Sequence, residues 1–259
     1  MEDAEMGDIY THHYHLNTFD FDQNRNVRLV SLMNFLQDIS TRHFEAVIER
    51  NAEVESPGLW VIVEWHIELY DGIDAPMKVA LTTEPTYFRK FIGYRRYDMQ
   101  REDGGTLLKA YSKWAYIDSK TRTQLNIPER FYACFSVDAG AERPTWKNKF
   151  KAEEAPFSEH LFKSHYSDVD VNRHVNNVTY IRWGLDAVFS DKPEWVDRYP
   201  IKRLKVTFKK ETFGGDKVRV SGHYTETDET AQSLHFLTND AGEICVEMEA
   251  LWDKVAPKA

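Results

Sequence analysis

One short stretch of this chain occurs twice. Asp20-Phe-Asp22-Gln-Asn24-Arg25-Asn26-Val27 lies over Asp168-Val-Asp170-Val-Asn172-Arg173-His174-Val175 at an offset of 148 residues (168 − 20). Each copy heads an apolar run with helical spacing. In the first run, Val27 to Arg50, the residues Val27, Val30, Phe35, Ile39, Val47 and Ile48 share a face that Leu29, Leu32, Met33 and Leu36 widen. In the second, Val175, Val178, Ile181, Leu185 and Val188 repeat at steps of three or four, which predicts an amphipathic helix to Phe189. After each helix the period changes to two. Strands are expected over Leu59–Tyr70, Met77–Tyr87, Ile92–Arg101 and Leu107–Asp118, then over Ile201–Lys210, Lys217–Thr225, Ala231–Thr238 and Glu243–Lys254. Ser56-Pro57-Gly58, Asp103-Gly104-Gly105, Gly214-Gly215 and Asn239-Asp240-Ala241-Gly242 supply turns between them.

A helix followed by four strands, met twice, is an internal repeat with an α+β architecture. A long helix wrapped by a curved antiparallel sheet is the hot-dog arrangement, so two in tandem make a double hot dog. The halves are expected at residues 1–138 and 157–259, joined by a polar linker over 139–156. A total of 259 residues gives each half enough chain for its own core.

Composition narrows the function classes. Net charge is −9, which argues against bulk attraction to nucleic acid. The longest purely apolar run, Leu59 to Val63, is far short of the ~18 residues of a membrane span. The acidic start MEDAEMGDIY lacks the apolar core of a secretory signal, which points to a cytoplasmic protein. Cys134 and Cys245 make neither a disulfide framework nor a four-cysteine metal site. His12-His13-Tyr14-His15 has no acidic or cysteine ligands beside it and reads as a half-exposed strand. With no P-loop, GxGxxG or GxSxG pattern, neither a nucleotide cofactor nor an α/β-type serine hydrolase is expected, and no metal or other cofactor is assigned. Basic clusters remain at Arg89-Lys90, Arg95-Arg96, Lys147 with Lys149, Lys202-Arg203 with Lys205, and Lys209-Lys210.

The second copy of the repeat carries the chemistry. Asp168 and Asn177 read most simply as helix N-caps. His174 is different: it is a proton carrier beside backbone N–H groups able to face an oxyanion, and its counterpart in the first copy is Asn26. The Asp and Asn positions recur, whereas the ionisable ring occurs once, so one chemical site is expected, in the second half. Glu211 is the candidate partner on the following strand. Leu204, Val206 and Phe208 define that strand's apolar face, and Glu211 falls on the opposite parity unless a bulge intervenes near Lys209-Lys210.

These residues resemble a known family. Asp170-Val-Asn172-Arg-His174-Val-Asn-Asn-Val-Thr-Tyr180-Ile-Arg-Trp183 is similar to the helix-start motif of the acyl-acyl-carrier-protein thioesterases of plant plastids and bacteria. The strand around Trp60 to Tyr70, the segment Ser112-Lys113-Trp114 with Thr121-Arg122, and Phe208-Lys-Lys-Glu211-Thr212 extend the likeness over most of the chain. The resemblance implies a double hot dog that hydrolyses the thioester of a fatty acyl-carrier protein, with roles for Asp170, Asn172, His174 and Glu211. Plant members commonly have a cysteine directly after the acidic residue; here it is Thr212, so water is the expected nucleophile. The expected mechanism has Glu211 activating water, His174 sharing that water or protonating the leaving thiolate, Asn172 polarising the carbonyl, and Asp170 fixing Asn172 or His174. The first half is expected to hold the acyl chain, with Leu69 in the place of Glu211 and Met33, Phe35 or Trp65 setting chain length. Arg95, Arg96, Lys209 and Lys210 are the candidate contacts for an acidic carrier bearing a phosphopantetheine arm. Rival readings are an acyl-CoA thioesterase, a non-hydrolytic acyl-binding module and a hot-dog dehydratase; a homodimer is left open.

Overall fold

The computed structural model describes residues 8–51, 56–70, 73–146, 148, 150–151 and 156–254. Most of the acidic start of the chain, and Lys147 with Lys149, lie outside the described residues. Two compact units emerge: residues 1–21 with 32–147, and residues 22–31 with 148–259.

In the first unit, β1 (Tyr10–Leu16) precedes α1 (Leu29–Arg50), and β2 (Gly58–Leu69), β3 (Met77–Arg89), β4 (Ile92–Arg101) and β5 (Thr106–Asp118) follow, with a short α2 (Glu129–Cys134). Its strands are antiparallel in the order β1-β3-β4-β5-β2. The second unit repeats the plan. Strand β6 (Ser158–Lys163) precedes α3 (Asn177–Asp191) and the short α4 (Pro193–Arg198). Then come β7 (Ile201–Phe208), β8 (Lys217–Glu226), β9 (Thr230–Asn239) and β10 (Ile244–Asp253). The order here is β7-β10-β9-β8-β6, again antiparallel. This is the double hot-dog architecture expected from the repeat, with one extra strand ahead of each helix. His12 to His15 do lie in such a strand. Strand β6 carried little signal because it is six residues long and alternates Glu159, Leu161 and Lys163 outward against Ser158, His160 and Phe162.

Both helices start two residues later than their apolar periodicity suggests, because the repeated stretch closes on itself as a turn. The Asp22 and Asp170 amides donate to the carbonyls of Asn26 and His174 (2.9 and 3.1 Å), and those of Arg25 and Arg173 donate back to Asp22 and Asp170 (3.1 and 3.0 Å). Asp22 Oδ1 accepts the Asn24 amide at 2.9 Å, and Asp170 Oδ1 accepts that of Asn172 at 2.8 Å. Arg25 and Arg173 both adopt left-handed backbone (φ 63° and 67°), uncommon for a residue with a Cβ. A 3-10 turn precedes each copy, Thr18–Asp20 and Tyr166–Asp168. Each ends on a buried aspartate that accepts an amide three residues back at 2.8 Å, from Asn17 and His165. These bonds recur in both copies, whereas the bond from the Asn26 amide to Asp22 Oδ1 (2.8 Å) belongs to the first and the Asn176 side-chain cap to the second.

The first core gathers Leu32, Met33, Leu36 and Ile39 of α1 with Trp65, Val79, Leu81 and Tyr97 of the sheet, all wholly or nearly buried. Phe131 and Phe135 join Phe88, Tyr116 and Val47 in an aromatic cluster. In the second unit Ile181, Ala187 and Val188 of α3 are buried, as are Leu204, Val206, Val220, Leu237 and Met248 of its sheet. Gly184 lets α3 approach that sheet, since a Cβ there would collide with the methyl end of Met248. Asp191, at the end of α3, accepts bonds from Tyr224 (2.6 Å) and Ser158 and meets His160 Nε2 at 2.8 Å. Among the described residues no helix is long and apolar enough to cross a membrane.

Two histidines are sealed inside these cores. His43 is fully buried, with Nδ1 2.8 Å from Arg95 Nη1 and Nε2 3.2 Å from Asp8. Since the guanidinium can only donate, Nδ1 accepts and Nε2 carries the proton. Burial, then the neighbouring Arg95 charge, lowers its pKa to about 4. His235 is also fully buried, neither ring nitrogen has a hydrogen-bond partner among the described residues, and burial lowers its pKa to about 3. Both rings are neutral when folded and charge more readily when unfolded, so the unfolded chain binds more protons below about pH 6.5. Stability should therefore fall as pH drops from 6.5 toward 4. Thermal melts across that range test this, and His235→Leu should flatten the acid limb. A melting temperature constant from pH 7.5 to 5 would contradict it.

Candidate active site

The end of β7 and the head of α3 converge in the second unit. Strand β7 pairs with β10 as far as Phe208, opposite Val246. The amides of Lys209 and Lys210 then both donate to the Cys245 carbonyl (2.8 and 3.2 Å). Two residues set against one is a bulge. It removes the parity conflict in the sequence and turns Glu211 toward the head of α3. Beyond it, Phe213 bridges His174 in antiparallel fashion, and the Val175 amide donates to the Thr212 carbonyl at 2.8 Å.

His174 consequently stands between two carboxylates. Its Nε2 is 3.6 Å from Glu211 Oε1, and its Nδ1 is 3.8 Å from Asp170 Oδ1. Both separations exceed a direct hydrogen bond and lie within reach of one water or a small side-chain adjustment. The His174 side chain is 18% exposed and that of Glu211 37%, so the ring is sheltered while the carboxylate meets solvent. Asp170 spends Oδ1 on the Asn172 amide and so holds the turn that carries both residues. Asn172 itself is exposed at the tip of that turn.

Thr212, buried beside Glu211, has a role that the sequence does not signal. Its amide donates to the Tyr180 phenolic oxygen at 3.0 Å, and its hydroxyl shares a 2.8 Å hydrogen bond with the same oxygen. Burial pushes the Tyr180 phenol up to about 12, so it stays protonated. Tyr180 therefore rivets the Glu211 loop to α3. It lies inside the helix-start motif, but nothing in the linear order connects it to Thr212.

Other expectations shift. The N-cap of α3 is Asn176, whose side chain accepts the Val178 amide at 3.1 Å, rather than Asp168 or Asn177. Asp168 holds the 3-10 turn and pairs with Arg182 at 2.5 Å. Arg95 is buried and donates to His43 and Thr83, so it presents no cation to a partner. Arg96, Lys209 and Lys210 reach the surface but are paired with Glu84, Glu247 and Glu243 at 2.6, 2.6 and 2.8 Å. Met33 and Trp65 are fully buried, and Phe35 is half-buried against the Tyr14 ring. Among the described residues no cluster of three or more His, Cys, Asp or Glu could hold a metal ion.

A cavity of about 460 Å³ opens beside Asp170, lined by Tyr166, Val169, Gly214 and Gly215 among others. Gly215 has φ +91°, a conformation that a side chain would strain.

Comparison with known proteins places this geometry. The N-terminal domain of the acyl-ACP thioesterases matches residues 7–135 and their C-terminal domain residues 151–254. The chain belongs to the acyl-ACP thioesterase family. Oleoyl-acyl carrier protein thioesterase 2 of Arabidopsis thaliana is 24% identical over 232 residues, a match covering 80% of this chain and 60% of that protein. Two solved structures share the fold. An acyl-ACP thioesterase from Bacteroides thetaiotaomicron is 20% identical, with a TM-score of 0.77 over 94% of this chain and 97% of that one. The 12:0-ACP thioesterase from Umbellularia californica is 16% identical, with a TM-score of 0.78 over 96% and 94%. Within the family fold, the Tyr180–Thr212 contact predicts a measurable cost. Tyr180→Phe leaves a buried Thr212 amide unpaired and should lower stability by about 1–3 kcal/mol in denaturant titrations. It should also lower turnover by loosening Glu211. Unchanged stability and turnover would show that the rivet carries no load.

Proposed function

We propose that this chain hydrolyses fatty acyl-acyl-carrier-protein thioesters, releasing a free fatty acid and the carrier's thiol. The observation that carries this reading is His174 standing between Asp170 and Glu211, at 3.8 and 3.6 Å, on the fold of the acyl-ACP thioesterases. Thr212 in place of a cysteine leaves water as the nucleophile. Glu211 takes a proton from that water as its oxygen adds to the thioester carbonyl. The Asn172 side-chain amide, with backbone N–H groups near the head of α3, faces the resulting oxyanion. Collapse of the tetrahedral intermediate breaks the carbon–sulfur bond, and the thiolate takes a proton from His174. Glu211 then returns its proton to the ring, while Asp170 steadies the Nδ1 side. The first half holds the acyl chain in this reading, with Met33, Phe35 or Trp65 limiting its length. The reaction belongs to fatty acid synthesis in the cytoplasm.

Glu211→Gln should leave the melting temperature intact and cut turnover at least ~100-fold, the scale of general acid–base help. Near-normal turnover would remove Glu211 from water activation. Matched acyl-carrier-protein and acyl-CoA substrates of several chain lengths, with the released acid and thiol both quantified, test the substrate class. Faster turnover of acyl-CoA would favour the rival thioesterase, and bound lipid without thiol release would favour an acyl-binding module.

A further inference from the structure

The rim of the candidate site is unusually apolar for a surface. Tyr166 and Val171 are 99% and 96% exposed in the segment that holds Asp170 and His174, and Phe213, which bridges His174, is 55% exposed. Large apolar side chains grouped on a surface mark contact sites more often than chance. The repeat supplies an internal comparison. At the offset of 148, Tyr166 corresponds to Thr18 and Val171 to Gln23. At these two positions the turn without the ionisable ring is polar and the turn with it apolar, while Phe19 (74% exposed) stands in the first where the second has Ser167.

Charge adds an independent observation. Lys163 and Lys217 stand directly opposite each other where β6 meets β8. Like charges in that position oppose pairing. Neither lysine, nor Arg173 at the tip of the turn, has an ion-pair partner among the described residues. The Ser164 amide next to Lys163 donates to Asp216 next to Lys217, and Ser164 Oγ donates to the Phe213 carbonyl, so the lysine pair adjoins the rim. By contrast, Arg96, Lys209 and Lys210 already have carboxylate partners.

We infer that Tyr166, Val171 and Phe213, flanked by Lys163, Lys217 and Arg173, form the surface that docks the protein part of the substrate, an acidic acyl-carrier protein. This rests on the thioesterase reading above. The apolar residues pack against the carrier's surface beside its arm. The free cations meet its acidic side chains and the phosphate of its arm. A pantetheine thioester lacks the protein and should not sense the rim.

Two double variants test the assignment, Tyr166→Ser with Val171→Ser, and Lys163→Glu with Lys217→Glu. Each is measured for binding to an acyl-carrier protein by fluorescence anisotropy, and for steady-state turnover of acyl-carrier protein and of the matched acyl-pantetheine. Both should raise Kd and KM for the carrier substrate about tenfold, the size of a modest interface hot spot. Carrier kcat and acyl-pantetheine turnover should stay within about twofold. Salt should weaken wild-type binding and lose that effect in the lysine variant. Lys209→Gln with Lys210→Gln should change little. Unchanged carrier Kd in both double variants would overturn the assignment. So would equal losses on acyl-pantetheine, or failure of the wild type to bind carrier. Wild-type binding without hydrolysis would instead count against the thioesterase reading alone.

Discussion

The backbone link between the end of β7 and the head of α3 decides the rest of the second half. The Val175 amide reaches the Thr212 carbonyl, His174 bridges Phe213, and Tyr180 closes the junction from inside. The individual bonds are ordinary, but they are buried or sheltered, so each one lost leaves a polar group without water to replace its partner. The His174 ring is thereby held within 4 Å of two carboxylates, Asp170 from its own turn and Glu211 from the end of β7. Positioning by backbone suits the proposed acid–base role, because the Glu211 carboxylate stays open to solvent while its neighbours are fixed.

Much of this was legible in the linear order. The strand periods, the two helices and the offset repeat together specified an α+β double hot dog, since period and turn chemistry are local properties. The bulge at Lys209-Lys210 could be anticipated because Glu211 otherwise falls on the wrong parity. The Tyr180–Thr212 contact could not, since two residues 32 apart meet only once the sheet has formed. The burial of Arg95 beside exposed Arg96 was also hidden. Adjacent residues on a strand face opposite ways, and nothing in a pair of arginines says which one faces inward. The cap moved to Asn176 for a related reason: the turn consumes residues that apolar spacing alone assigns to the helix.

The two copies of the turn separate scaffold from chemistry. The backbone bonds that close the turn, their left-handed arginines and their buried aspartates coincide, so these features serve the geometry of a strand leading into a helix. The copies differ in the ring at position 174, where the first has Asn26, and in side chains around the turn, with Tyr166, Ser167 and Val171 in place of Thr18, Phe19 and Gln23. One backbone device thus underlies a turn with an ionisable ring and a turn without one.

The bulge has a consequence for how this chain tolerates change. Side chains at 209 and 210 point to solvent, so their identities are loosely constrained. Their number is not. Removing one residue between Phe208 and Glu211 would restore regular pairing with β10 and carry the carboxylate to the other side of the strand. The segment should therefore accept many substitutions and almost no change of length, an indel-sensitive hinge inside a substitution-tolerant loop.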